Sequence, residues 1–234
     1  MTGTLYGIGV GPGDPELITL RAARLISTAG VIAYPAPDSG ESFARAIAAD
    51  LIPADTVEIP MIVPMRVARF PAQDVYASAA QSISAHLTAG RDVCVLCEGD
   101  PFFYGSFMYL FSRLADRFPV EIVPGVASLG ACAAAFGRPL TARNDVLTVI
   151  PGPLPDTRIS PLIEGAEAIA IMKVGRHLPR LRALLDRMGL LEAAGFVARA
   201  SLPDVRVAPL KDAPETAPYF SMILIYKGAD PWLT

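Results

Sequence analysis

The sequence is poor in the residue types that many catalytic and metal-binding sites require. Of its 234 residues, three are cysteine, two are histidine and one is tryptophan. No set of nucleophile, general base and orienting group is visible, so covalent catalysis through an activated side chain is not indicated. The few cysteines, close together in the sequence, also exclude a disulfide framework.

Two of the cysteines form a C-x-x-C pair, Cys94 and Cys97. They lie in the apolar run 93–97, which predicts a buried strand. Positions three apart on a strand point to opposite faces, so the two thiols cannot easily share a metal ion or form a redox pair. The pattern predicts buried thiols, and no metal site is expected.

Charge of either sign is also sparse. Charged residues make up 18% of the chain, the net charge is −3, and no run of like charges occurs, which argues against nucleic-acid binding. No stretch approaches the roughly 20 apolar residues of a membrane span. Gly7, Gly9, Gly11 and Asp14 interrupt the region where the apolar part of a signal peptide would run, so we expect a cytoplasmic protein without membrane partners.

Apolar residues are plentiful, at 52%, and the chain is longer than a typical domain of roughly 100 to 200 residues. In the first half, short apolar runs alternate with turns and helical patterns, which predicts a parallel sheet. In the second half, strands are expected at 146–150, 168–174, 195–200 and 220–227, the last of them antiparallel. We predict an α/β protein with an N-terminal domain at 1–118 and a mixed α/β domain at 119–234.

A glycine-rich turn follows the first predicted strand, at residues 7–15 (GIGVGPGDP). It resembles a dinucleotide fingerprint, but Pro12 or Asp14 stands where that pattern needs a glycine, and no acidic residue follows the second predicted strand. A G-K-[ST] sequence is absent as well, which excludes a P-loop. A nicotinamide-dependent oxidoreductase is therefore disfavoured, although it is kept as an alternative.

Two more turns lie between a predicted strand and a helix, at 98–106 (EGDPFFYGS) and at 124–128 (PGVAS). The carboxylates of Glu98 and Asp100 can cap the following helix, or they can face a cationic ligand such as a sulfonium, assisted by the neighbouring aromatic rings. Ligands of α/β proteins bind where strands end, so three such turns can meet around one ligand.

Taken in order, the segments 9–20, 98–101 and 124–128 resemble the tetrapyrrole methylase family over essentially the whole chain. Four further segments, 148–152, 171–176, 199–204 and 219–221, resemble the branch that methylates precorrin-2 at C-20 to give precorrin-3A in cobalamin biosynthesis. The resemblance implies a homodimer of two-domain α/β chains with the active site in the inter-domain cleft. It also implies S-adenosylmethionine (SAM) as co-substrate and S-adenosylhomocysteine (SAH) as product.

Carried over motif by motif, the resemblance places nine residues against SAM: Pro12, Glu98, Gly99, Asp100, Phe103, Ala127, Ser128, Met172 and Ala200. The chain departs from the family at two of them. Glu98 stands where glycine is frequent and Ala127 where serine or threonine is common, so the family's hydrogen bonding is not implied there.

Methyl transfer from a sulfonium to an electron-rich carbon depends mainly on orientation, which can supply effective molarities of about 10⁵ to 10⁸ M. If a proton leaves afterwards, the motif offers Asp100, Tyr104 and Glu98 as catalytic candidates. The carboxylate-rich substrate needs local basic groups, although each of these is also readily explained as a solvated surface charge. The expected substrate contacts are Gly11, Arg66, Arg69, Arg138, Arg143, Lys173 and Arg176.

Alternatives remain at this stage. One is a methyltransferase of the same family that acts on cobalt-factor II at C-20, on another ring carbon or on a non-tetrapyrrole substrate. Another is a nucleotide- or tetrapyrrole-binding module without catalysis. A transient contact with the next enzyme of the pathway is also conceivable for a product of this kind.

Overall fold

The computed structural model describes residues 1–63 and 70–228 and divides the chain into two compact units, Met1–Ala127 and Ser128–Thr234. The division falls later than the boundary expected after residue 118. The reason is β5 (Val120–Val123), which pairs in parallel with the first strand of the chain and so belongs to the first sheet. A four-residue strand next to the boundary gives no sequence signal for which sheet it joins.

The first unit is an α/β unit whose five strands are all parallel to their neighbours, in the order β3-β2-β4-β1-β5. Its elements are β1 (Leu5–Gly9), α1 (Leu20–Ile26), β2 (Val31–Ala36), α2 (Phe43–Ile47), β3 (Val57–Ile62), α3 (Phe70–Thr88), β4 (Val93–Cys97), α4 (Phe107–Leu114) and β5. The predicted parallel sheet is thus confirmed.

The apolar spacing of residues 16–29 predicts a single helix, but this segment forms two pieces. Asp14 caps a short 3₁₀ turn, Pro15–Leu17, through a 2.9 Å bond from the Glu16 N–H to its carboxylate. Ile18 is extended, and α1 begins after Thr19, whose hydroxyl oxygen accepts the Ala22 N–H at 3.2 Å. Two N-caps close together therefore replace one long helix.

The second unit holds a mixed five-stranded sheet in the order β6-β7-β10-β8-β9. Its elements are α5 (Ser128–Phe136), β6 (Leu147–Pro151), α6 (Asp156–Glu164), β7 (Ala168–Met172), α7 (Leu178–Arg187), β8 (Ala194–Ala198), β9 (Arg206–Pro209) and β10 (Ser221–Tyr226). As expected, β10 is antiparallel to its neighbours, β7 and β8. Two elements were not predicted from the sequence: α6, which contains Pro161, and β9, a mostly exposed strand at the sheet margin.

Apolar side chains cover both faces of the first sheet. Cys94 is buried with Ile8 and Ile26 on one side, and Cys97 is buried with Phe107 and Leu110 on the other. Burial raises the pKa of the Cys94 thiol to about 12 and that of Cys97 still further. The prediction of two separately buried thiols is confirmed.

Within the described residues, no helix combines the length and the apolar character that a membrane crossing requires.

Candidate functional site

Three turns meet where the parallel strands β4, β1 and β5 end, in that spatial order. They comprise residues 9–15, 98–105 and 124–127, and are called the first rim below. The sequence predicted the turns at 9–15 and 98–105 in the N-terminal domain, 1–118, and the turn at 124–127 in the C-terminal domain, 119–234. Because β5 completes the first sheet, all three turns belong to the first unit, at the side of a parallel sheet where ligands are bound.

The backbones of the first rim approach one another very closely. Gly11 and Gly99 form a bridge, with N–H to O distances of 3.3 Å and 2.7 Å in the two directions. A Cβ on Gly9 would lie 2.6 Å from the backbone nitrogen of Gly125, and one on Gly125 only 2.0 Å from the Gly99 oxygen. The three turns therefore require glycine to fit together, which gives the glycine pattern a packing explanation beyond turn geometry.

The bridge between Gly11 and Gly99 limits how Gly11, an expected substrate contact, could bind a ligand. This residue is buried, has a φ of 81°, and uses both its N–H and its carbonyl oxygen in bonds to Gly99. Its polar backbone atoms are therefore occupied within the first rim. The residue that follows, Pro12, is partly buried.

Asp100 fastens the second turn to the third. One carboxylate oxygen, Oδ1, accepts the N–H groups of Phe102 at 2.9 Å and Phe103 at 3.1 Å. The other, Oδ2, accepts the N–H of Gly125 at 3.1 Å. Both oxygens thus hold backbone groups in place, which is a structural use of a side chain for which the sequence predicted a catalytic role.

Glu98 is partly buried at the end of β4, and its burial raises the pKa of its carboxyl group. Backbone hydrogen bonds from its own residue and from Ala44 act in the opposite direction. Ala44 lies in the first turn of α2, so Glu98 connects the first rim to that helix.

Tyr104 is the candidate whose side chain is most open to a ligand. It is 43% exposed, and its φ of 57° lies in the left-handed region. The Phe103 ring packs edge-on against it, with centroids 5.2 Å apart. A non-glycine residue in this conformation costs roughly 1 to 2 kcal/mol, and such strain tends to occur at functional sites.

The second unit has a comparable set of turns. The starting end of β10 lies between the carboxyl ends of β7 and β8, because β10 is antiparallel to both and Ser221 pairs with Ala198 and Met222 with Met172. The turns 173–176 and 199–201, together with the segment 218–221 that leads into β10, are called the second rim. Two of the three predicted SAM contacts of the second unit lie here, Ala200 within the rim and Met172 directly before it, whereas Ser128 begins α5.

The second rim, like Tyr104 of the first, contains non-glycine residues with positive φ values. Lys173, Arg199 and Ser201 have φ values of 56°, 55° and 64°. The side chains of Lys173 and Arg176, two of the expected substrate contacts, are exposed there.

Two of the remaining basic candidates, Arg138 and Arg143, lie away from this rim. Arg138 and Arg143 are exposed but precede β6, and Asp145 of the same loop accepts the Tyr226 hydroxyl at 2.9 Å. Tyr226 ends β10, whereas the second rim adjoins its start, so the two regions are separated by a strand of about 17 Å. Arg66 and Arg69 lie outside the described residues.

A cavity of about 360 Å³ adjoins the ends of β2 and β3. Its lining includes Tyr34, Ser42 and Arg45, and the Arg45 guanidinium makes bonds of 2.6 and 2.8 Å to the two carboxylate oxygens of Glu58. Sequence reasoning missed this cavity. The available signals were the tyrosine at a strand end and the serine that caps α2 through a 3.2 Å bond from the Arg45 N–H.

Known proteins match this chain over nearly its full length. A precorrin-2 C(20)-methyltransferase of Sinorhizobium sp is 40% identical over 232 residues, 95% of each chain. A cobalt-precorrin-2 C(20)-methyltransferase of Salmonella typhimurium is 32% identical over 97% of this chain and 98% of its own. The solved uroporphyrin-III C-methyltransferase of Thermus thermophilus, complexed with S-adenosylhomocysteine, superposes with a TM-score of 0.67 at 27% identity, covering 95% of this chain and 97% of its own.

The family model described as tetrapyrrole (corrin/porphyrin) methylases matches residues 4–214. This match confirms the resemblance that the ordered turns indicated, and it includes both rims apart from the segment leading into β10. The chain belongs to the tetrapyrrole (corrin/porphyrin) methylases.

Proposed function

We propose that the protein is a SAM-dependent C-methyltransferase that methylates precorrin-2 at C-20, giving precorrin-3A in cobalamin biosynthesis. The observation that carries this proposal is the 40% identity, over 95% of both chains, to a precorrin-2 C(20)-methyltransferase.

SAM is assigned to the first rim through Pro12, Gly99, Asp100, Phe103 and Ala127. Three close-packed turns at the end of a parallel sheet support the assignment, as does the bound SAH of the Thermus relative. The aromatic rings beside Asp100 can stabilise a sulfonium. Glu98 contributes by connecting this rim to α2, while Ser128, Met172 and Ala200 are the proposed SAM contacts of the second unit.

In the reaction, the S–CH₃ bond of SAM breaks as a carbon of the macrocycle uses a pair of its π electrons to bond the methyl group. SAH leaves as a neutral thioether, and the proton of the methylated carbon departs later. Asp100 is engaged by three backbone N–H groups, so we propose Tyr104 as the group nearest the departing proton. Orientation supplies the larger part of the rate enhancement.

The carboxylates of the substrate are assigned to the exposed Lys173 and Arg176 of the second rim, and to Arg66 and Arg69. Arg138 and Arg143 also remain predicted contacts, although they lie at the other end of their sheet. Cobalt-precorrin-2 is the second candidate substrate, because the Salmonella relative that carries this name matches at 32% identity. The higher identity to the enzyme for metal-free substrate favours precorrin-2.

The deciding experiment is anaerobic incubation of the protein with SAM and either precorrin-2 or cobalt-precorrin-2, followed by mass spectrometry. We expect one methyl group to be added to precorrin-2, and NMR of the isotopically labelled product should place it at C-20. Methylation at another carbon would identify a different branch of the family. Absence of product from both substrates, with protection by NADPH instead of SAH, would favour the oxidoreductase alternative.

We further propose that the enzyme acts in the cytoplasm as a homodimer that hands its product to the next enzyme. The family resemblance supports the dimer, and the sequence pattern supports the location. Light scattering after gel filtration tests the dimer, and a monomeric mass would contradict it.

A further inference from the structure

The segment at 219–221 resembles the branch of the family that methylates precorrin-2 at C-20, but the proposed function assigns no role to this segment. It leads into β10 within the second rim. Ser221 is 8% exposed, so its hydroxyl is largely removed from water. A buried hydroxyl needs hydrogen-bond partners, and the identity of those partners indicates what it holds.

The Ser221 hydroxyl has two backbone partners on either side of it. It donates to the carbonyl oxygen of Pro218 at 2.8 Å and accepts the N–H of Gly175 at 3.3 Å. One residue earlier, the carbonyl oxygen of Phe220 accepts the N–H of Arg199 at 2.8 Å. The segment therefore joins the turn after β7 to the turn after β8.

Both of these turns contain residues in an unfavourable conformation. Lys173 and Arg199 have φ values of 56° and 55°, and each costs roughly 1 to 2 kcal/mol relative to an ordinary backbone conformation. Such residues persist only where the surrounding structure holds them. From the β10 side, the segment 218–221 bonds to Gly175, two residues after Lys173, and to Arg199 itself.

We propose that Ser221 is a positioning residue for SAM binding. Its hydroxyl keeps the turn after β7, and with it Met172, in the conformation that receives the co-substrate. The inference rests on the proposed function, because it concerns the same ligand. When only a fraction of the protein has the binding conformation, the apparent Kd equals the intrinsic Kd divided by that fraction. Loss of the hydroxyl therefore weakens binding without removing a ligand contact.

The test is the affinity of purified wild-type and variant proteins for SAH, measured by isothermal titration calorimetry. Ser221→Ala should raise the Kd for SAH by about fivefold to tenfold, the effect of losing one or two hydrogen bonds of ordinary strength. Turnover at saturating SAM should change by less than about twofold. Losing an interaction that is equally strong in the ground state and the transition state raises KM and does not change kcat. Ser221→Thr, which keeps the hydroxyl, should restore most of the affinity.

Ser160→Ala is the matched control. Ser160 is half-buried in the second unit, whereas Ser221 is buried. The Ser160 hydroxyl likewise donates to a backbone carbonyl oxygen, that of Asp156 at 3.0 Å, but Ser160 lies in α6 and outside the second rim. Its removal should leave the Kd unchanged. An equal loss in both alanine variants, or wild-type affinity in Ser221→Ala, would overturn the proposal.

Two further outcomes are also decisive. If Ser221→Ala does not fold, Ser221→Cys replaces it, since a thiol fills the same space and hydrogen-bonds only weakly; wild-type affinity in that variant overturns the inference. If the wild-type protein itself binds no SAH, the proposed function fails, which is a different result from an unaffected Ser221 variant.

Discussion

The two rims achieve a fixed shape by different means. In the first rim, glycines let three backbones touch, and a carboxylate, Asp100, ties two of them together. In the second rim, non-glycine residues occupy left-handed conformations, and the hydroxyl of Ser221 ties the turn after β7 to the segment that leads into β10. The close approach of backbones in the first rim thus depends on absent side chains, and this rim has one non-glycine residue with a positive φ, Tyr104. The second rim has three non-glycine residues in strained backbone conformations.

This difference indicates how each rim should respond to substitution. Backbones in direct contact leave no room for an added atom, so changes there should have large effects. In a strained turn held by one or two hydrogen bonds, the free energy of the strain and that of each bond are similar, about 1 kcal/mol. Substitutions in such a turn should therefore have small to moderate effects on stability and binding.

The largest effect is expected for Gly125→Ala. The new Cβ would lie 2.0 Å from the Gly99 oxygen, so the second and third turns must separate. We expect the free energy of unfolding to fall by about 3 kcal/mol and SAH affinity to fall by about 100-fold, since a displacement of this kind misplaces several contacts.

Gly30→Ala is the control for this change, because a Cβ there meets nothing within 4 Å. Its stability in urea unfolding should stay within about 0.5 kcal/mol of the wild type. If both variants unfold alike and bind SAH alike, the close approach of the turns is not essential to the first rim.

A smaller loss is expected for Asp100→Ala, which removes the acceptor of three backbone N–H groups. The free energy of unfolding should fall by about 2 to 3 kcal/mol. Asp100→Asn should be intermediate, because its single carbonyl oxygen can keep only one side of the connection. Urea unfolding and SAH titration measure both effects, and a fully active alanine variant would be inconsistent with the fastening role.

In the second rim, we expect Lys173→Gly to be more stable than Lys173→Ala by about 1 kcal/mol. Both variants lose the side chain, and alanine alone retains the cost of a φ of 56°. The comparison is made by chemical unfolding at one pH. Equal stabilities would mean that the conformation at this position carries no strain, and the contrast between the rims would disappear.

The smallest effect is expected for Glu98→Gln and depends on pH. Burial raises the pKa of Glu98 in the folded protein above its value in the unfolded chain, so the folded state binds the proton more tightly. Stability contributed by this group is therefore present at acidic pH, below the unfolded pKa, and is lost as the pH rises through the folded pKa. Each pKa unit by which the folded and unfolded values differ corresponds to about 1.4 kcal/mol of stability.

A glutamine cannot ionise, so the variant should gain stability relative to the wild type between pH 4 and neutrality. Urea unfolding at several pH values in this range measures the difference directly, and other titrating groups cancel in the subtraction. A difference that stays constant across the range would show that Glu98 titrates normally.

The sequence predicted the strands of the first unit well, because buried parallel strands are continuous apolar runs between turn residues. It also predicted that two cysteines three apart would be buried on opposite faces. It placed the turn at 124–127 in the wrong half, since the sheet that β5 joins is decided by pairing with β1, more than 100 residues earlier. Periodicity within a segment does not contain that information.

The connections within each rim were also beyond the reach of sequence reasoning. Asp100 bonds to Gly125, 25 residues away, and Ser221 to Gly175, 46 residues away. Both residues were noticed through their motifs, but the motif cannot show that their oxygens are spent on backbone groups. Sequence reasoning also could not separate Arg138 and Arg143, which precede β6, from Lys173 and Arg176 at the second rim, because loops at both ends of a sheet look alike in sequence.

The antiparallel placement of β10 has a consequence for how the protein is made. The first rim can assemble once residue 127 has been synthesised, whereas the second rim waits for the strand that starts at Ser221 and completes the centre of its sheet. Until then β7 and β8, which are neighbours of β10, have no partner between them, and their inner backbone groups are exposed. During synthesis the first rim can therefore form before the second, and the interval between them is the one in which these open strand edges can pair wrongly.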